Sequence, residues 1–150
     1  MSRLSLVDAR ASRFYSRWIN ASPEREAQVA SLDGLSLNAT IFARLLQEEL
    51  DACHPLPRAM RRLRNLVINS LIRQDLAGRI GLPEVLDTMT AFADFAVNTH
   101  LDALHAELTA LHGEPIGNDS GKPQKMIVLG MGKHGGGELN VSSDIDLIFI

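Results

Sequence analysis

Apolar side chains recur every three to four residues along the chain up to about residue 111, which is the pattern of amphipathic helices packed on a core. Proline and glycine residues interrupt the pattern, and each interruption ends one helix before the next begins. The pattern predicts short helices within residues 1–32, one of them starting at Ser22-Pro23-Glu24, and then three longer helices over about residues 36–52, 58–77 and 83–111.

The pattern changes near the end of the chain. Residues 113–124 have the composition of a loop, whereas residues 126–129 and 147–150 are short uninterrupted apolar runs, typical of buried strands. We therefore predict an α + α/β organisation, with a helical region and linker over residues 1–122 and the start of an α/β domain over residues 123–150. Because a strand buried on both faces makes a poor terminus, we also expect the sequence to be part of a longer protein.

Composition narrows the class of protein. Hydrophobic residues make up 45% of the 150 residues and charged residues 22%, as in a soluble globular domain. The single cysteine excludes an internal disulfide, and the sequence shows neither the apolar core of a secretory signal nor a run long enough to cross a bilayer. We therefore expect a cytoplasmic protein without a membrane partner.

Charge is unevenly distributed along the chain. Residues 1–80 contain 12 arginines and 8 acidic residues, whereas residues 81–150 contain 3 lysines and 10 acidic residues. A basic half is compatible with binding to nucleic acid or to an acidic protein surface. The acids interleaved with the arginines, and the lack of an aromatic platform, favour solvated helix faces instead, so we expect no nucleic-acid partner.

The stretch between the two apolar runs is rich in glycine, and we call residues 130–137 the glycine loop. Gly130, Gly132 and Gly135 follow the first run with the G-x-G-x-x-G spacing of dinucleotide-binding folds. Only eight residues separate Gly135 from Asp144, too few for the helix of a βαβ crossover, so a dinucleotide-binding Rossmann unit is the less favoured alternative. The G-x-x-x-x-G-K-[ST] pattern of a phosphate loop is absent, since His134 occupies the place of the hydroxyl residue.

Asp144 and Asp146 open the second apolar run one residue apart. On a strand such a pair points to the same face, where two carboxylates can together bind one or two cations. Mg²⁺ prefers oxygen ligands and leaves places for substrate phosphates. The nearby glycines allow backbone N–H groups to approach a polyphosphate closely, and Ser142 and Ser143 add hydroxyl groups. The pattern indicates metal-dependent nucleotidyl transfer, with a purely structural acidic strand start as the alternative.

The spacing of these residues resembles a known signature. Gly132 and Gly137, followed by the segment Ser143-Asp144-Ile-Asp146-Leu147, are similar to the motif of the DNA polymerase β-like nucleotidyltransferases, in which a Gly-Ser pair precedes an h-D-x-D-h strand. Lys133 stands in the place of the usual serine. The resemblance implies a truncated polymerase β-like nucleotidyltransferase sheet, of which residues 123–150 supply the first two strands.

Within that superfamily, residues 126–149 resemble the bacterial bifunctional glutamine synthetase adenylyltransferase/adenylyl-removing enzyme family, through Gly-Met-Gly-Lys-x-Gly-Gly-x-Glu-Leu-Asn-x-x-Ser-Asp-Ile-Asp-Leu-Ile-Phe. His134 departs from the aliphatic residue of that motif, and a polar ring beside the loop would alter nucleotide contacts. The resemblance implies that Asp144 and Asp146 are catalytic ligands of Mg²⁺. It also implies a nucleotide- and phosphate-binding site formed by Gly130, Gly132, Lys133, Gly135, Gly136, Gly137, Ser142 and Ser143.

The family regulates nitrogen assimilation by attaching AMP to a tyrosine of glutamine synthetase and removing it. The helical region before the motif implies the first of the family's two nucleotidyltransferase-like domains, the adenylyl-removing half, which uses inorganic phosphate and releases ADP. The implied partners are adenylylated glutamine synthetase, the PII signal protein, ATP, ADP and phosphate. Since the third carboxylate of the site is expected beyond Ile150, we expect the chain alone to be inactive. A non-catalytic helical docking module for glutamine synthetase or PII is the alternative.

Overall fold

The computed structural model describes residues 11–150, which contain six helices and two strands. The helices are α1 (Arg13–Ile19), α2 (Glu24–Ala30), α3 (Ala39–Asp51), α4 (Leu56–Leu76), α5 (Leu82–His112) and α6 (Gly132–Gly135), and the strands are β1 (Val128–Met131) and β2 (Asp146–Phe149). This part of the chain is mostly helical with a small sheet, as predicted, and none of its helices is long and apolar enough to cross a bilayer. Residues 1–10, which belong to the first predicted helical segment, lie outside the described residues.

Short-range polar contacts determine where the long helices begin. The Asn38 side chain accepts hydrogen bonds from the backbone N–H groups of Thr40 and Ile41, at 3.1 and 3.2 Å, so α3 begins at Ala39 rather than near residue 36. At the start of α5 the Gly81 N–H donates to the Glu84 carboxylate at 3.0 Å, as in a capping box. The bounds of α4 and α5 agree with the predicted ranges to within two residues.

The core lies where α3, α4 and α5 pack together. Phe42 of α3 is fully buried and meets Phe92 of α5 edge to face, with ring centroids 5.3 Å apart. Leu139, from the segment between α6 and β2, is also buried and belongs to the same apolar cluster. The packing of Leu139 in this cluster attaches the segment between α6 and β2 to the helices.

The strands β1 and β2 pair as antiparallel neighbours, with Met131 opposite Asp146. Beyond the strand ends, Ile127 and Ile150 exchange two backbone hydrogen bonds of 2.9 Å. The two strands of a βαβ crossover are parallel, so this antiparallel pair cannot be one. The sheet therefore gives no support to the dinucleotide-binding alternative.

One face of the sheet lies over α5. Val128 and Leu147 line a cavity of about 240 Å³ between the sheet and that helix, together with Val97 and Leu101 of α5. Side chains alternate along a strand, so the neighbouring positions point away from α5. Phe149, two residues after Leu147, lies on the α5 side and lines a second cavity with Leu101 and Leu104. The exposed apolar side chains of the opposite face include Leu129, Met131 and Ile148.

Two strand boundaries correct the predicted ones. The first strand covers Val128–Met131 instead of residues 126–129, so Gly130 belongs to the strand. The second strand begins at Asp146, so Asp144 precedes it. At the loop end the ladder stops at the Met131–Asp146 pair, where Gly132 turns the chain away with a φ of 53°.

Candidate functional site

The glycine loop connects β1 to the segment that leads into β2, and backbone geometry requires glycine at several of its positions. Gly132 and Gly137 have φ angles of 53° and 70°, in the left-handed region that side chains with a Cβ disfavour. Gly135 needs its hydrogen for a different reason, since a Cβ there would lie 2.5 Å from the carbonyl oxygen of Gly130. These glycines thus have a structural requirement that is independent of any ligand.

Part of the loop is the single helical turn α6, which the run of three glycines does not predict. The turn is closed by backbone hydrogen bonds from Gly136 N–H to Gly132 O at 3.0 Å and from Gly137 N–H to His134 O at 3.1 Å. The Glu138 N–H also donates back into the turn. Local hydrogen bonds outweigh the low helix propensity of glycine over so short a stretch. The N–H groups of Gly136 and Gly137 therefore shape the loop and are already paired.

A second turn, built on Asn140, leads into the aspartates. The Asn140 side-chain oxygen accepts hydrogen bonds from the Ser142 N–H at 3.0 Å and from the Ser142 hydroxyl at 2.9 Å. The Ser143 hydroxyl accepts from the Asn140 N–H at 3.1 Å. Both predicted serines thus help to form this turn, together with Asn140, which was not among the predicted site residues. Asn140 could have been recognised from the sequence, because an Asn side chain can accept a hydrogen bond from the backbone N–H two residues later, as in an Asx turn.

Asp144 and Asp146 follow the Asn140 turn, and Asp146 is the first residue of β2. Both are exposed, and neither side chain forms an ion pair or accepts a hydrogen bond within residues 11–150. An Oδ2 atom of Asp146 lies 3.6 Å from the place that a Cβ of Gly132 would occupy, so one predicted metal ligand borders the glycine loop. Strand alternation describes Asp146 but not Asp144, because Asp144 lies before the strand. The prediction that both carboxylates project from one strand face was wrong in that respect.

Lys133 and His134 are adjacent in the sequence, but their side chains differ in exposure to solvent. Lys133 is exposed, whereas the His134 ring is buried on the inner side of the loop. Its Nε2 lies 2.8 Å from Oδ1 of Asp94 on α5. The ring also packs under Gly130, since a Cβ there would be 3.1 Å from the His134 Cγ and Nδ1 atoms. The sequence predicts a polar ring beside the nucleotide, but the ring points towards α5, and nothing in the spacing of Asp94 and His134 indicates their contact.

Among the predicted site residues, the side chains with carboxylate oxygens that could bind a cation are those of Asp144 and Asp146. No group of three or more His, Cys, Asp or Glu side chains converges anywhere within the described residues. Two carboxylates suit a hard divalent cation whose remaining positions are filled by water and phosphate oxygens. The donor set thus fits Mg²⁺, and it does not form a closed protein cage for a metal.

Comparison with known proteins gives a consistent result. A family model described as glutamate-ammonia ligase adenylyltransferase matches residues 7–150. The bifunctional glutamine synthetase adenylyltransferase/adenylyl-removing enzyme of Ralstonia nicotianae is 55% identical over 95 residues, which are 63% of this chain and 10% of that protein. The Chromobacterium violaceum enzyme of the same name is 55% identical over 101 residues, 67% of this chain and 11% of that protein.

A longer match links the helical part to the same relatives. The Bordetella pertussis enzyme of this name is 44% identical over 142 residues, 89% of this chain and 15% of that protein. The chain thus spans 10% to 15% of the length of these relatives. Because the family model covers nearly the whole sequence, helices and glycine loop alike, the chain belongs to the glutamate-ammonia ligase adenylyltransferase family.

Proposed function

We propose that the chain contributes the metal- and phosphate-binding turn of a Mg²⁺-dependent nucleotidyltransferase of the DNA polymerase β-like superfamily. The observation that carries the proposal is the position of Asp146, which is exposed, has no ion-pair partner among residues 11–150 and lies beside Gly132 at the start of β2. Exposed carboxylates that stabilise no part of the fold are free to bind a cation.

In this proposal Asp144 and Asp146 bind Mg²⁺, which when bound would neutralise charge on the phosphate oxygens around the reacting phosphorus. Lys133 supplies a second, mobile positive charge at the rim of the loop, where it attracts a phosphate. The glycines keep the loop free of side chains, so that a phosphate can approach its backbone. The Asn140 turn holds Ser142 and Ser143 in place directly before the aspartates.

The reaction that we assign is that of the adenylyl-removing half. An oxygen of inorganic phosphate forms a bond to the phosphorus of AMP on a tyrosine of glutamine synthetase. The bond from that phosphorus to the tyrosine oxygen breaks, the tyrosine oxygen takes up a proton, and ADP leaves. The relatives are named as bifunctional adenylyltransferase/adenylyl-removing enzymes, which supports the pairing of this activity with adenylyl transfer in one longer protein.

The assignment has consequences for partners and for the chain itself. Adenylylated glutamine synthetase would be the substrate, the PII signal protein a regulator, and the cytoplasm the place of action. Residues 1–122 would form the helical region and residues 123–150 the start of the nucleotidyltransferase domain. Since two carboxylates are a small donor set for catalysis at phosphorus, we expect the 150-residue chain alone not to turn over adenylylated glutamine synthetase.

The test is phosphorolysis by the intact enzyme that contains this segment, measured as ADP release from adenylylated glutamine synthetase. Asp146→Asn and Asp144→Asn should each lower kcat by at least about a hundredfold, because the metal loses a charged ligand. Asp119→Asn, an exposed aspartate in the linker, is the matched control and should keep the wild-type rate. Wild-type turnover by Asp146→Asn would overturn the proposal.

A docking module for glutamine synthetase or PII is the second candidate, and it has an observation of its own. Arg58, Arg61 and Arg64 are exposed near the start of α4 and form no ion pair within the described part of the chain. A cation in the first turn of a helix, such as Arg58, is unfavourable on its own. In this interpretation the three arginines bind an acidic partner protein. Replacing the three by Gln would then weaken partner binding, while both aspartate variants would retain full turnover.

A further inference from the structure

One side-chain contact joins the glycine loop to the helical part. His134 of α6 and Asp94 of α5 are 40 residues apart in the sequence, and their Nε2 and Oδ1 atoms lie 2.8 Å apart. The His134 side chain is only 6% exposed, whereas that of Asp94 is 61% exposed. The buried ring therefore reaches a carboxylate at the surface of α5, and each partner is positioned by a different element.

The ring also determines how the loop sits on β1. It lies under Gly130, where a Cβ would come within 3.1 Å of two ring atoms, and Gly135 in turn abuts the Gly130 carbonyl. Asn98, one turn after Asp94 on α5, lines the cavity beside the same ring. The loop is thus packed against the ring on one side, and the ring is hydrogen-bonded to α5 on the other.

The polarity of the His134 ring argues against a role in packing alone. An Nε2–H that donates to Asp94 leaves Nδ1 as an acceptor, and Nδ1 is buried without a partner among the described residues. Burying an unpaired acceptor is unfavourable, and an aliphatic side chain would avoid that cost. The Asp94 bond is the feature that an aliphatic residue at position 134 lacks, and a bond to a carboxylate is stronger than one to a neutral acceptor.

We infer that Asp94 and His134 are a positioning pair that holds the glycine loop in its phosphate-binding shape against α5. Neither residue touches the substrate in this inference. Asp94 fixes the His134 ring, and the ring supports Gly130 and the turn α6. The turn α6 begins at Gly132, beside Asp146, and carries Lys133 as its second residue. The phosphate-binding part of the inference rests on the proposed function, whereas the positioning part does not.

Hydrogen exchange tests the positioning part on the 150-residue chain. In Asp94→Ala the N–H groups of Gly136, Gly137 and Glu138, which close α6, should exchange about tenfold faster, the effect of losing one charge-assisted hydrogen bond. Asp94→Asn keeps an acceptor oxygen and should restore most of the protection. Asp102→Ala, an exposed aspartate on the same helix, should leave the loop unchanged.

His134→Leu separates the bond from the packing. It fills the space without the hydrogen bond, so it should raise exchange in α6 as Asp94→Ala does. Wild-type protection of α6 in either variant would overturn the positioning pair. The nitrogen chemical shifts of His134 in the unaltered chain give a check that requires no variant: they should show a protonated Nε2 and a bare Nδ1, and the reverse tautomer would contradict the inference.

Kinetics of the intact enzyme test the phosphate-binding part. Asp94→Ala should raise the KM for inorganic phosphate about tenfold and change kcat by less, with the KM recovered in Asp94→Asn. If exchange increases but the KM for phosphate stays at the wild-type value, the pair positions the loop and the phosphate-binding role is overturned. Failure of the proposed function itself would show separately, as wild-type turnover by Asp146→Asn.

Discussion

Gly135 lies against the carbonyl of Gly130 so closely that a Cβ on Gly135 would be 2.5 Å from that oxygen. The contact is backbone to backbone, so Gly135→Ala must displace either α6 or β1. We expect it to lower the free energy of unfolding by about 1 to 3 kcal/mol, as overpacking does. Gly136→Ala is the adjacent control, because a Cβ there would be at an ordinary 3.4 Å from Gly132 O, and its cost should stay within about 0.5 kcal/mol. Urea denaturation of both variants measures the difference, and equal costs would contradict the structural account.

Removal of the metal should affect activity and leave the fold unchanged. No cluster of three or more ligating side chains lies within residues 11–150, and we predict that the fold of this part of the chain does not require a metal. We expect EDTA to abolish phosphorolysis by the intact enzyme, and added Mg²⁺ to restore it, while the midpoint of thermal unfolding of the 150-residue chain stays within about 1 °C. A large fall in that midpoint would show a structural metal site instead.

Lys133 offers a prediction about phosphate affinity. It is exposed at the turn where the loop meets Asp146, and the proposed function gives it the role of attracting a phosphate. Lys133→Met should raise the KM for inorganic phosphate in the intact enzyme by about tenfold, the loss of one charge-assisted contact. The effect should shrink as salt concentration increases. Lys122→Met removes an exposed lysine of the linker and should not change the KM, and equal effects of the two variants would point to net charge alone.

The long helices were predictable from the sequence because each carries its own signals. α4 and α5 have an apolar stripe and proline at the first turn, and these local features do not depend on the rest of the fold. The start of α3 was less accurate, since the cap at Asn38 was not recognised and the predicted start fell near residue 36. The resemblance placed Gly132 and Asp146 in one candidate site, and the Oδ2 atom of Asp146 lies 3.6 Å from the place that a Cβ of Gly132 would occupy.

What the sequence did not predict are contacts between distant residues. No periodicity links Asp94 on α5 with His134, because their contact exists only once the sheet lies over the helix. The turn α6 was missed for a related reason, since glycine propensity argues against it and local hydrogen bonds decide the outcome. Asp144 lies before β2 and not on it, because the ladder with β1 ends at the Met131–Asp146 pair, where Gly132 turns the chain.

Arg73 of α4 provides a prediction about stability in the helical part. Its Nε donates to both oxygens of Asp33, at 3.1 and 3.2 Å, and its Nη1 lies 3.4 Å from the Tyr15 hydroxyl. The side chains of Arg73 and Asp33 are 26% and 22% exposed, whereas the Arg44–Glu48 pair on α3 is more than half exposed at both ends. Partial burial strengthens the first group of contacts, and solvent weakens the second.

We therefore expect Arg73→Met to lower the free energy of unfolding by about 1 to 3 kcal/mol, and Arg44→Met by no more than about 0.5 kcal/mol. The hydrogen bond with Tyr15, followed by that with Asp33, raises the pKa of Arg73 above its ordinary value. A raised pKa means that the stabilisation by the cation is complete below the unfolded pKa and is lost only as the pH rises through the folded one. The cost of Arg73→Met should therefore be the same at pH 6 and at pH 9, within about 0.5 kcal/mol. Urea denaturation at both pH values checks this. If the loss of unfolding free energy in Arg73→Met halves by pH 9, the charge of Arg73 does not stabilise the contacts with Asp33 and Tyr15.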